Sequence, residues 1–360
     1  MKPITAHRTA SGGTREDGLQ DERHGGPAGP PRWIVSTARL LLGVFFRDVE
    51  VAGADRVPAG RPLLLVANHV NGLIDPVLIL GTLPVAPRFL AKSTLWRIPV
   101  LSWLLDRARA LPVHRRQDEG GETASNDGMF AACFDELAAG GAIAVFPEGT
   151  SHNEPALRPL KTGAARIALG AESSRGPLGV AIVPVGHTFD ARGRFRSGAL
   201  VTVGPPFDAS PELALYATDA DGAVRALTAR IDAALQAVTL NYASWDEARL
   251  IARAADLYAR PSLDVPRYRT REETFAIRRA MIDGYRDLAA RFPERTEAVA
   301  EAVQRYDRLL RALHLKDEQV AAAYPLPSVA RFAGATLLRM LVWLPAALAG
   351  SLLNIIPFYL

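Results

Sequence analysis

Two ionisable residues six positions apart open the chemical reading: His69 and Asp75, in "ANHVNGLIDP" at residues 67–76. Histidine is the side chain that takes and returns protons near neutral pH. A carboxylate bonded to its far ring nitrogen holds it ready as a base. On one straight helix, residues six apart lie about 120° from each other and share no face. Asn71 and Gly72, however, supply a turn that can fold the chain back and bring the pair together. Asp75 has a plainer alternative. Standing before Pro76, it reads as a helix N-cap with proline at the first helical position.

Two further stretches carry groups suited to an anion. In "FPEGTS", residues 146–151, Gly149 permits close backbone approach. The turn amides and the Thr150 hydroxyl can hydrogen-bond an anionic oxygen. Lys161 and Arg166 add charge downstream. In "RALPVHRR", Arg115 and Arg116 close an apolar run, and guanidinium matches phosphate through paired hydrogen bonds. The competing readings are a plain strand–loop connection and a solvated charge pair.

These residues need a frame. Between residues 62 and 207 six apolar runs recur: "PLLLVAN", "RFLAK", "RALPVH", "AIAVFP", "VAIVPVG" and "ALVTVG". Each has strand length, and helix-length segments such as 76–83 and 125–139 lie between several of them. Near-continuous apolar strands alternating with helices predict an α/β domain, a largely parallel sheet flanked by helices. His69 then stands at the carboxyl end of a strand, the edge where open α/β sheets bind ligands.

The flanks read differently. Residues 1–32 are rich in Gly, Pro and charge and predict a disordered tail; they lack the apolar stretch of a signal peptide. Residues 33–46, "WIVSTARLLLGVFF", are apolar but too short to span a bilayer, so they predict a membrane-interfacial helix or a buried core helix. The α/β domain is expected over 47–207. A helical region follows over 208–325, with stripes Val224–Leu227–Ile231–Leu235–Val238, Ile277–Met281–Tyr285–Leu288–Phe292 and Val299–Val303–Tyr306–Leu310–Leu313. The last two stripes predict an antiparallel hairpin. Residues 326–360 form an apolar C-terminal membrane segment whose final 21 residues carry no charge. Pro345, Gly350 and Pro357 are expected to interrupt it, so a spanning helix, an interfacial hairpin and a core helix all stay open.

Composition excludes several classes. Charged residues make up 22% and the net charge is +4, with arginines interleaved among acids, so no basic stripe for nucleic acid exists. The single cysteine, Cys133, permits no disulfide within the chain and suits a reducing compartment. No Gly-x-Ser-x-Gly elbow supports a serine hydrolase, and no His-Glu-x-x-His spacing supports zinc.

Taken in order, "NHVNGLIDP", "ALPVHRR", "FPEGTS" and "IVPVGH" resemble the glycerolipid acyltransferases over residues 45–205. The usual family spacing has four residues between His and Asp, and this chain has five. That spacer and "EGTSHNEPALRPLKTGAA" are similar to the branch of fungal-type glycerol-3-phosphate and dihydroxyacetone-phosphate acyltransferases. The resemblance implies His69 as general base and Asp75 as the residue that orients it. It implies an acceptor-phosphate site of Arg115, Glu148, Gly149 and Thr150, with Glu148 placing a hydroxyl or an arginine. Pro184 would shape the pocket and Lys161 would assist. No cofactor or metal is implied: acyl-CoA or acyl carrier protein is the acyl donor, and a phosphorylated glycerol is the acceptor. The implied partner is a lipid membrane, with the enzyme on the cytoplasmic membrane and its site facing the cytoplasm. A lysophosphatidate acyltransferase and a non-catalytic membrane-binding module are the alternatives.

Overall fold

The computed structural model describes residues 30–114, 126–258, 269–315, 320 and 326–359. The expected tail therefore falls almost wholly outside the described residues, as do Arg115 and Arg116. The chain divides into two compact units, up to Pro293 and from Glu294 onward.

The first unit is built on a seven-stranded sheet. Its strands are β1 (Phe46–Ala52), β2 (Leu63–Ala67), β3 (Arg88–Lys92), β4 (Leu111–Val113), β5 (Ala142–Val145), β6 (Ala181–Phe189) and β7 (Ser197–Val203). They lie in the order β1-β7-β6-β2-β5-β3-β4. Five strands, β6 through β4, are mutually parallel, as the buried apolar runs predict. β7 runs antiparallel to β6, and β1 is parallel to β7, so this edge of the sheet is reversed. The reason is local: only residues 190–196 join β6 to β7, too few for the crossover a parallel pair requires. β1, "FRDVEVA", carries charges on its exposed side and shows no apolar run, because an edge strand solvated on one face alternates.

Strand β2 shows how the layers are made. Leu63, Leu65 and Ala67 enter one core, under α1 (Arg32–Phe45) and α2 (Ile74–Thr82). Leu64 and Val66 enter the other, with α4 (Asp127–Ala138), α5 (Gly163–Arg175) and α7 (Ala220–Val238). The short helix α6 (Ser210–Tyr216) joins the second layer through Leu213 and Tyr216, whereas α3 (Pro99–Arg107) has no buried residue and lies outside both cores. The α7 stripe from Val224 to Val238 is buried throughout, so this helix covers the sheet.

Helix α1 is apolar on two sides, and one of them is core. Ile34, Val35, Ala38 and Leu42 are buried. Leu42 presses so closely on α2 that a Cβ at Gly81 would stand 2.5 Å from it. The opposite side keeps Leu40, Leu41, Val44 and Phe45 exposed, and Trp33 packs on Trp103 of α3 with ring centroids 5.8 Å apart.

Helices α8 (Trp245–Tyr258) and α9 (Arg271–Arg291) close the first unit. The buried positions of α9 are Phe275 and Ile282, with Leu288 and Phe292 exposed, so its inner face is rotated from the predicted stripe. Tertiary contacts set this: Glu50 accepts the Arg271 and Glu272 amides and pins the helix start to β1.

The second unit holds α10 (Pro293–Ala312) and α11 (Leu326–Tyr359). The expected interruption at Pro345, Gly350 and Pro357 does not occur: α11 is one helix of 34 residues. A proline removes one rung of the ladder, and the turns on either side carry the helix through. Val329–Ser351 is long and apolar enough to cross a membrane, and none of it is buried.

Candidate active site

His69 follows β2 directly, and its ring is only 15% exposed. Its Nδ1 lies 3.0 Å from Asp75 Oδ2. The same oxygen accepts the amides of Val70 at 2.7 Å and Asn71 at 2.8 Å. An oxygen that accepts two amides acts as a carboxylate acceptor, so His69 donates Nδ1–H and keeps Nε2 as a lone-pair base. The ring also stacks on Phe146 at 4.2 Å.

Asp75 is therefore not a helix N-cap. It sits inside the first turn of α2, fully buried, and bonds the loop before the helix. Asn71 caps the helix instead, its Oδ1 accepting the Leu73 and Ile74 amides at 3.3 Å. With five residues between His and Asp, the Asn71–Gly72 turn closes the loop back onto the carboxylate.

Glu148 bonds the chain itself. It is 4% exposed, and both oxygens serve the chain. Oε1 accepts the His69 amide at 2.7 Å, and Oε2 accepts the Arg158 amide at 2.9 Å. His152 Nε2 also bonds Oε2, while His152 Nδ1 accepts the Glu154 amide at 3.1 Å. That amide fixes the tautomer, so His152 donates Nε2–H to Glu148. Glu148 thus ties the "PEGTS" turn to the backbone of His69.

His69 borders a cavity of about 420 Å³. Its wall includes Lys92 at the end of β3, His114 after β4, Lys161, Arg166 and the first turn of α5; among the described residues no carboxylate lines it. A helix N-terminus offers amides and positive potential to anions. Leu90, Val113, Met129, Phe130, Val145 and Ile167 form an apolar side of the same cavity. One cavity thus offers a base, a cationic wall and an apolar wall.

Gly149 and Lys161 belong to this wall. Gly149 has φ +73°, and a Cβ there would stand 2.7 Å from Lys161 Cε. Only glycine takes that backbone without strain and lets the lysine cross it. Two other predicted residues are elsewhere. Thr150 is exposed, bonds the Ser151 carbonyl and does not line the cavity. Pro184 is buried within β6 beside Val66 and accepts the Gly204 amide, so it shapes the sheet rather than the cavity. Arg115 lies outside the described residues. Sequence reasoning missed Lys92, although it ends the run "RFLAK" as His69 follows its own strand. It also missed His114, in "ALPVHRR", where the neighbouring arginines are the stronger phosphate signal.

A second cavity, of about 410 Å³, lies on the other side of the His69 loop. Asn68, Val70 and Glu148 line it, whereas His69, Pro147 and Gly149 line the first, so alternate residues of two loops form the partition. His187, His152, Arg192 and Tyr242 also face this second space.

Residues 48–188 match the Acyltransferase family. The chain is 32% identical to glycerol-3-phosphate O-acyltransferase 2 of Saccharomyces cerevisiae over 55% of its own length and 26% of that protein. It is 32% identical to glycerol-3-phosphate O-acyltransferase 1 of the same yeast, over 64% of this chain and 43% of the relative. A chloroplastic 1-acyl-sn-glycerol-3-phosphate acyltransferase of Brassica napus is 28% identical over 39% of this chain and 37% of its own. The chain spans about a quarter to a half of the length of the first relatives it matches.

Proposed function

Residues 48–188 belong to the glycerolipid acyltransferase superfamily, on the branch like the yeast glycerol-3-phosphate O-acyltransferases, and from that premise we propose that the chain acylates a glycerol phosphate. The acceptor is glycerol 3-phosphate or dihydroxyacetone phosphate. The donor is an acyl thioester, acyl-CoA or acyl carrier protein. One observation carries the reading: His69, oriented by Asp75, borders a cavity with a cationic wall and an apolar wall. A phosphate suits the first wall and a fatty acyl chain the second.

The chemistry needs no covalent acyl-enzyme. His69 Nε2 takes the proton of the acceptor hydroxyl while that oxygen attacks the thioester carbonyl. Asp75, held by two backbone amides, stabilises the imidazolium as it forms. Collapse of the tetrahedral intermediate breaks the C–S bond, and the imidazolium returns the proton to the departing thiolate. Lys161, Lys92 and the first turn of α5, together with Arg115, hold the phosphate so that the hydroxyl reaches the base.

Lysophosphatidate is the alternative acceptor, since the Brassica napus relative is a 1-acyl-sn-glycerol-3-phosphate acyltransferase. It carries the same phosphomonoester, so only the room beside the phosphate separates the two. We further propose that the protein works at a lipid membrane, held by Val329–Ser351 and the exposed apolar side of α1. Its site would then face the cytoplasm.

The test is acyl transfer by the purified full chain, with glycerol 3-phosphate, dihydroxyacetone phosphate and lysophosphatidate in competition, scored by kcat/KM. His69→Ala is the control, expected to lose about 100- to 10,000-fold with an unchanged melting temperature. Transfer at the wild-type rate by that variant would leave a non-catalytic membrane module as the better reading.

A further inference from the structure

The carboxylate that orients His69 is satisfied on one side only. Asp75 Oδ2 accepts three hydrogen bonds, yet Oδ1, in a fully buried residue, has no partner among the described residues. Facing it is His187, whose ring is wholly buried and whose two nitrogens also lack partners there. His187 Nδ1 stands 3.7 Å from Asp75 Oδ1. Three unpaired buried polar atoms in one place call for a reason, since each ordinarily costs stability.

We propose that His187 is a positioning residue for the catalytic base: its neutral ring donates Nδ1–H to Asp75 Oδ1, making a buried His69–Asp75–His187 chain. This rests on the acyl-transfer reading and deepens it. Three observations support the arrangement. First, an approach of under about 1 Å converts 3.7 Å into a normal hydrogen bond. Second, His187 is not free to drift. Asn68, the neighbour of His69, accepts the His187 amide at 2.7 Å and donates to its carbonyl at 3.1 Å. The two histidines are thus clamped through adjacent residues at the ends of β2 and β6. Third, burial lowers the tendency of His187 to take a proton; the Asp75 charge opposes this. A neutral ring donates one N–H and leaves Asp75 ionised, whereas a cation would compete with His69 for its charge.

The groups around His187 are consistent with this. Asp75 on α2 and His69 face it directly. Towards the second cavity stand Glu148 and His152, already bonded to each other, and Asp190, bonded to Arg271. Arg192 lies over Trp245 and donates to the His152 carbonyl, while Glu154, Tyr242, Arg249 on α8 and Arg278 on α9 are the other titratable groups of this lining.

The consequence is directional. With a donor on Oδ1, the carboxylate charge is shared between both oxygens. Without it, more of that charge acts on His69, whose imidazolium is then favoured. His187→Leu should therefore move the acid limb of kcat/KM upward by about one pH unit. His187→Asn, whose side-chain amide sits near the Nδ1 position, should restore the limb to within a few tenths. A residue that only fills space would lower the melting temperature and leave the limb in place; an unmoved or lowered limb in His187→Leu overturns the proposal. Nitrogen-15 histidine spectra of the full wild-type chain read the contact directly and survive a variant that does not fold. They should show His187 neutral, with its proton on Nδ1, across about pH 5–8. A proton on Nε2, or an imidazolium in that range, overturns it equally. These spectra also follow the titration of His69 without substrate, so a failure of acyl transfer and a failure of His187 are read separately.

Discussion

Asp75→Asn isolates the charge behind the base. The backbone decides how the new amide sits: Val70 and Asn71 both aim N–H groups at the Oδ2 position, at 2.7 and 2.8 Å, and only an amide oxygen can satisfy them. The NH2 group is then turned toward His187, whose neutral ring must switch tautomer so that Nδ1 accepts it. With oxygen retained, His69 keeps its Nδ1–H tautomer and its free Nε2. What disappears is the negative charge 3.0 Å from the ring. At an effective dielectric of about 20, two unit charges at that distance attract by about 5.5 kcal/mol, which is the ceiling for the lost stabilisation of the imidazolium. The remaining carbonyl dipole recovers part of it, so kcat should fall by about 10³- to 10⁴-fold. The imidazolium exists only as the proton moves, so the acceptor KM should change by less than about threefold. The assay follows thiol release from an acyl thioester donor with a thiol-reactive chromophore, alongside a melting curve. A kcat within about tenfold of wild type, in a variant that melts normally, would refute the claim that the Asp75 charge stabilises the transition state.

Other consequences follow from the same geometry. Gly149→Ala places a side chain at φ +73° and 2.7 Å from Lys161 Cε, so it should cost about 1–2 kcal/mol and raise the KM for every phosphorylated acceptor while sparing the donor; an unchanged acceptor KM would remove Lys161 from the phosphate wall. Deleting residues 340–360 should move the protein from membrane to soluble fractions, and retention on membranes would shift the anchor to the exposed apolar side of α1. Burial pushes the Cys133 thiol up from 9.0 to about 12, so the native protein should resist alkylation at pH 8 and react once unfolded. Rapid labelling of native protein would contradict that burial. The same shift makes the native state lose stability as pH rises above 9.0, because the unfolded thiol ionises first.

Local chemistry along the chain determined much of this protein. The central parallel strands were legible because a strand covered on both faces must be apolar at every position, as Leu63–Ala67 is. His69 and Asp75 were legible because a strand end, a turn and a carboxylate fall within nine residues. The α7 stripe was legible because 3.6-residue periodicity survives wherever a single face is buried. Tertiary structure alone decided the rest. Whether Asp75 capped its helix or held His69 depended on where two loop amides pointed. Glu148 sits in an open-looking turn, but partners at His69 and Arg158 close it. Lys92 joins the cavity only because β3 lies beside β5 in the sheet. His187 is more than a hundred residues from His69, and only the pairing of β2 with β6 brings the two together. Short-range pattern records which face a residue buries; which distant residue meets it there is set by strand order and register, and no local pattern encodes these.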